Sequence, residues 1–125
     1  MDWSEEALLA SAREYLLRCY AQRSAVRVTE FAAVLNVPVS SLSRNFSRLC
    51  GCAPAAFFEK EQLQYARALL QQSDMRIADV AAAAGFGTPN TLFRAFRLNG
   101  YTSPRRYREM KKMILAAAAS KTDCS

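Results

Sequence analysis

Reactive side chains are scarce in this chain of 125 residues, and the scarcity narrows the chemistry open to it. There is no histidine. Ser-His-Asp and Cys-His catalysis and histidine-ligated metal sites are therefore excluded. The four cysteines are Cys19, Cys50, Cys52 and Cys124. None forms a C-x-x-C pair, and Cys50-Gly51-Cys52 is too sparse for a structural zinc site. Cys19 and Cys50 suit small core positions. The competing reading is a thiol-based sensor around Cys50 and Cys52. Reduced thiols fit a cytosolic protein. With no nucleophile–base pair and no phosphate loop, neither an enzyme nor a bound cofactor or metal is expected.

What remains is anion-binding chemistry. The formal net charge is +6, from 17 Lys/Arg and 11 Asp/Glu. From Met75 onward there are nine basic residues against three acidic ones, with Arg94, Arg97, Arg105, Arg106, Arg108, Lys111 and Lys112 most crowded. Such a cluster suits an anionic partner, with a solvated helix face as the plainer alternative. No run approaches the ~20 apolar residues of a membrane span, and the acidic start Met1-Asp2-Trp3-Ser4-Glu5-Glu6 lacks a signal-peptide pattern. A soluble, cytoplasmic chain with no membrane partner is expected.

The elements that must position these side chains read as helices throughout. The expected class is all-α, with about seven helices. Ser4 caps a first helix reaching Gln22, in which Leu8, Leu9, Ala12, Tyr15, Leu16 and Cys19 recur at helical spacing. Further helices are expected over Val28–Leu35, Val39–Cys50, Pro54–Gln72, Ile77–Ala84 and Thr88–Leu98. Ser103 and Pro104 open a seventh that continues to Leu115, ahead of a disordered tail from Ala116 to Ser125.

The chain contains one unit twice. Arg27-Val28-Thr29-Glu30-Phe31-Ala32-Ala33 parallels Arg76-Ile77-Ala78-Asp79-Val80-Ala81-Ala82, and Asn36-Val37 parallels Gly85-Phe86. Leu42, Arg44, Phe46 and Pro54 then parallel Leu92, Arg94, Phe96 and Pro104. Each copy pairs a short helix carrying a small inward residue with a turn residue that tolerates positive φ. A longer helix follows, anchored by Leu and Phe four residues apart. These are the requirements of a helix-turn-helix. An α-solenoid needs more repeats, stacked directly; a plain duplicated bundle is the remaining alternative.

These residues give the chain a family likeness. Ile77-Ala78-Asp79-Val80-Ala81, Gly85-Phe86, Leu92-Phe93-Arg94-Ala95-Phe96, Ser103-Pro104 and Tyr107-Arg108 resemble the DNA-binding region of the AraC/XylS transcription regulators. Pro54, Phe57, Phe58, Leu63, Ala66, Leu69 and Leu70 resemble the family's linker helix. The resemblance runs from about Glu6 to Lys112. It implies two helix-turn-helix subdomains, 1–53 and 73–115, joined by a linker helix at 54–72, with residues 116–125 as the tail. In size the chain is similar to the family's stand-alone activators. Three positions depart from the pattern. Tyr101 stands where the family has Gly, with Gly100 one place earlier. Gln62 stands where Arg is usual. Arg27 and Arg76 occupy N-cap places that usually hold Ser or Thr.

The apolar anchors fix the outward faces. With Leu42, Phe46 and Leu49 inward, Ser40, Ser43, Arg44 and Ser47 face a groove; with Leu92, Ala95 and Phe96 inward, Asn90, Phe93, Arg94 and Arg97 do. The family's base-reading positions fall on Ser40, Ser43, Arg44, Asn90, Phe93 and Arg94. Arg pairs two-pronged with guanine and Asn with adenine, and an outward Phe93 packs on thymine methyls. An inward Phe93 would instead join the core. Phosphate contacts are expected from Arg48, Arg97, Arg105 and Arg106, with Thr88 and Ser103 at helix N-termini. The function expected is sequence-specific binding of double-stranded DNA by a nucleoid-associated activator, with RNA polymerase as a further partner. A complete chain would act as a monomer, and a piece of a longer regulator as a dimer. The alternatives are a protein-interaction module with weak non-specific DNA binding, and a cysteine-based sensor-regulator.

Overall fold

The computed structural model describes residues 3–109. They form α1 (Glu5–Gln22), α2 (Val28–Val34), α3 (Val39–Cys50), α4 (Pro54–Gln72), α5 (Ile77–Ala83) and α6 (Pro89–Leu98), followed by a helical segment over 104–109. No strand occurs among the described residues. The all-α class holds. The seventh helix beyond Glu109, the expected tail, Lys111, Lys112 and Cys124 lie outside the described residues.

The helix limits follow from local chemistry. Ser4 is a cap rather than a helical residue, and its Oγ accepts the Ala7 N–H at 3.1 Å. Thr88 plays the same part for α6, accepting the Thr91 N–H at 3.3 Å. Pro54 and Pro89 open α4 and α6, where the missing N–H costs nothing. α2 and α5 each stop one residue short of the expected end, because Leu35 and Ala84 serve as C-caps.

Both short helices end alike. Asn36 takes φ 59 and Gly85 φ 78. Asn36 N–H then reaches Ala33 O and Val37 N–H reaches Ala32 O; Gly85 and Phe86 repeat the pair onto Ala82 O and Ala81 O. This pair of hydrogen bonds, donated by the two residues past the C-cap, satisfies carbonyls that the helix leaves orphaned. The duplication read in the sequence is thus reproduced hydrogen bond for hydrogen bond.

The described residues form two cores, and α4 belongs to both. Phe57 and Phe58, from its first turns, join Leu8, Tyr15, Phe31, Leu42 and Phe46 in one cluster. Leu63, Ala66 and Leu70, further along, join Val80, Ala81, Leu92 and Phe96 in the other. Cys19 is buried in the first core, and Cys50 and Cys52 pack against its edge.

Candidate nucleic-acid interface

The longer helix of each unit exposes one polar face. On α3, Leu42 and Phe46 are fully buried and Leu49 packs against the core from a half-buried position. Ser40, Arg44 and Ser47 are exposed, and Ser43 is half-buried. On α6, Leu92, Ala95 and Phe96 are buried, while Asn90, Arg94 and Arg97 are exposed. Phe93 is 43% exposed, which answers the open question of its direction: it points outward. It thereby shares the exposed side of α6 with Asn90, Arg94 and Arg97.

The cationic residues divide by what holds them. Among the described residues Arg44, Arg94 and Arg97 have no ion-pair partner. Arg48 is exposed and donates to Asn45 Oδ1 at 2.9 Å. Arg105 and Arg106 are exposed at the start of the 104–109 segment, where Ser103 Oγ accepts the Arg106 N–H at 3.3 Å. Arg105 borders a cleft shared with Asp74, Arg76 and Glu109, so acidic neighbours temper its field. Thr88 and Ser103 use their hydroxyls as caps.

Arg108 behaves differently from its neighbours in the basic cluster. It donates to Leu70 O at 2.9 Å and Met75 O at 2.6 Å, tying the end of α4 to the following turn. It is spent on structure. Arg67 is a second structural arginine, and sequence reasoning missed it. It donates to the hydroxyls of Tyr107 and Tyr101, each at 3.0 Å, and its guanidinium lies 4.9 Å from the centre of the Tyr101 ring. Gln71 also donates to the Tyr107 hydroxyl. The bond to Tyr107 stabilises the charged form of Arg67 and raises its pKa. Tyr101, the departure from the family glycine, is therefore put to use. Gly100 takes φ 78, Tyr101 N–H closes α6 onto Phe96 O at 2.9 Å, and the two rings pack at a tilt of 51° with centres 5.5 Å apart.

The other two departures also have structural outcomes. Gln62 is 7% exposed and donates to Ala84 O at 3.1 Å, so it faces the interior. Arg27 and Arg76 make no side-chain cap. The start of α2 is held instead by Tyr15, whose hydroxyl accepts the Arg27 N–H at 3.1 Å and donates toward Glu30 Oε1 at 3.0 Å. Arg76 meets Asp79 at 3.3 Å in an exposed pair of little energetic weight. Burial pushes the Cys50 thiol up, with Glu5 and Cys52 adding to the effect. A thiol so shifted carries little thiolate at neutral pH, the reverse of a reactive sensor.

A family model described as a helix-turn-helix domain matches residues 31–110. The chain belongs to the AraC/XylS family of helix-turn-helix transcription regulators. It is 33% identical over 86 residues to the HTH-type transcriptional activator RhaS of Klebsiella pneumoniae, covering 69% of this chain and 31% of that protein. It is 35% identical over 68 residues to the probable transcription factor PqrA of Proteus vulgaris, covering 54% of this chain and 56% of that one. It spans only 31% of RhaS and 31% of ExsA of Pseudomonas aeruginosa. Among solved structures, the DNA-binding domain of AdpA in complex with a target DNA superposes with a TM-score of 0.69 at 26% identity, covering 82% of this chain and 93% of that domain.

Proposed function

We propose that the chain is a non-enzymatic activator of transcription that reads double-stranded DNA by laying α3 and α6 into successive major-groove segments. The observation that carries this reading is the outward face of α6. Asn90, Phe93 and Arg94 project together from a helix whose opposite face is sealed in the second core. Ser40, Ser43 and Arg44 occupy the corresponding face of α3. Arg48, Arg97, Arg105 and Arg106 are the phosphate contacts, with Thr88 and Ser103 presenting helix N-termini. The reading units are 1–53 and 73–115, joined by 54–72. The name of RhaS as an activator and the AdpA domain's complex with its target support the reading. RNA polymerase is the further partner, and the nucleoid the place of action. The chain acts as a monomer if complete and as a dimer within a longer regulator. No helix of the described residues is long and apolar enough to cross a membrane.

A second reading, an interaction module, draws on the groove between α1 and α4. That groove is bordered by Leu16, Leu17, Tyr20 and Tyr65, and Leu17 is 66% exposed. Selection of bound duplexes from a random pool at moderate salt separates the two. Enrichment of an asymmetric motif with blocks about 10 bp apart is the expected result. Salt-sensitive binding without enrichment would favour the interaction module.

A further inference from the structure

Three segments of the chain converge at one point between the two cores. Val26, in the loop after α1, packs against the first core and donates its N–H to Gly85 O at 2.9 Å. Gln62, in the middle of α4, lies between Phe58 of the first core and Leu63 of the second, and bonds Ala84 O at 3.1 Å. Gly85 is the turn residue of the second helix-turn-helix. A Cβ there would lie 2.6 Å from Val26 Cγ2 and 3.3 Å from Gln62 Nε2. The glycine therefore serves the turn and the close approach at once. Gln62 is the buried polar residue among the described residues, outside the tyrosines, and its donor satisfies a carbonyl that the end of α5 leaves orphaned.

We propose that Gln62 is a positioning residue: with Val26 and Gly85 it latches the two reading units in one orientation and so sets the spacing between base blocks that the protein accepts. The proposal rests on the DNA-reading function above. A single connecting helix is a poor ruler. The 19 residues of α4 span about 28 Å at ~1.5 Å per residue, and long helices bend. A small bend at its middle displaces the distal unit by an amount comparable to the ~3.4 Å rise of one base pair. The latch sits at that middle and ties both flanks together.

The test uses Gln62→Met, which keeps the side-chain shape and removes the donor, and Gln62→Glu, which replaces the donor with an acceptor. Amide residual dipolar couplings are recorded without DNA, and binding is measured on duplexes carrying the selected blocks at their natural spacing, at a spacing lengthened by ~2 bp, and on a single block. In the unsubstituted protein the couplings of both units fit one alignment tensor, and the natural spacing is preferred. In the variants the units fit separate tensors and the spacing preference falls by roughly tenfold, the scale of one buried hydrogen bond. Single-block affinity stays unchanged. One tensor and an undiminished preference in both variants overturn the latch. Equal binding of both spacings by the unsubstituted protein also overturns the spacing role; binding no stronger than to unrelated duplex, with the tensor still splitting on substitution, means that the DNA reading fails and the latch is only a structural joint.

Discussion

Arginine serves two opposite ends in this protein, and the surroundings decide which. Arg94 has no ion-pair partner among the described residues and projects beside Asn90 and Phe93. Arg67 and Arg108 fold back onto tyrosine hydroxyls and backbone carbonyls. Truncation separates the roles. Arg94→Ala is expected to weaken the preferred site by about 1–3 kcal/mol and to relax one base position, as read by competition with single-base variants of the selected duplex. Arg106→Ala is expected to weaken all sequences alike and to lower the salt-dependence slope by about one unit. Arg67→Met removes two hydrogen bonds from a charged donor. It is expected to cost about 2 kcal/mol in urea unfolding.

Helix ends carry much of the specification at the next scale. Asn36, Gly85 and Gly100 take positive φ where a chain reversal requires it, and α1 ends in the same way at Arg23, with φ 52. Ser24 N–H bonds Cys19 O at 2.9 Å there, so the geometry is the same with a less suitable residue. A side chain with a Cβ is strained in that conformation. Arg23→Gly is therefore expected to stabilise the protein by about 0.5–1 kcal/mol, measured as a raised denaturation midpoint with an unchanged m-value. A lowered midpoint would mean that Arg23 makes a compensating contact through its side chain.

At the scale of the whole fold, the two cores of the described residues share one helix, and the first contains tyrosines held in their neutral form. Burial is the main cause at both Tyr15 and Tyr20, raising each above the ordinary 10.0, with Glu61 adding to the effect at Tyr20. The folded state thus keeps protons that the unfolded chain releases. Stability is fully present below the ordinary value of 10.0 and falls as pH rises above it, until the buried hydroxyls themselves ionise. Alkaline titration should show tyrosinate absorbance appearing in two stages, the later one together with loss of helical signal. A single early stage with the fold intact would show these hydroxyls open to solvent.

Much of this architecture was legible in the sequence, because the relevant signals are local. Period, capping and turn chemistry act within a few residues, so Ser4, Pro54, Gly51 and the matched pair Asn36 and Gly85 mark helix ends without knowledge of the fold. The buried anchors Leu42, Phe46, Leu92 and Phe96 likewise dictate which side of α3 and α6 remains exposed. The tertiary structure alone decided what depends on residues distant in the chain. It turned Arg108 inward, gathered Arg67 with Tyr101 and Tyr107, and brought Val26, Gln62 and Gly85 to one point. No periodicity encodes such meetings. They arise when two cores settle against a shared helix, and a buried donor such as Gln62 must then find its acceptor in whatever backbone lies opposite.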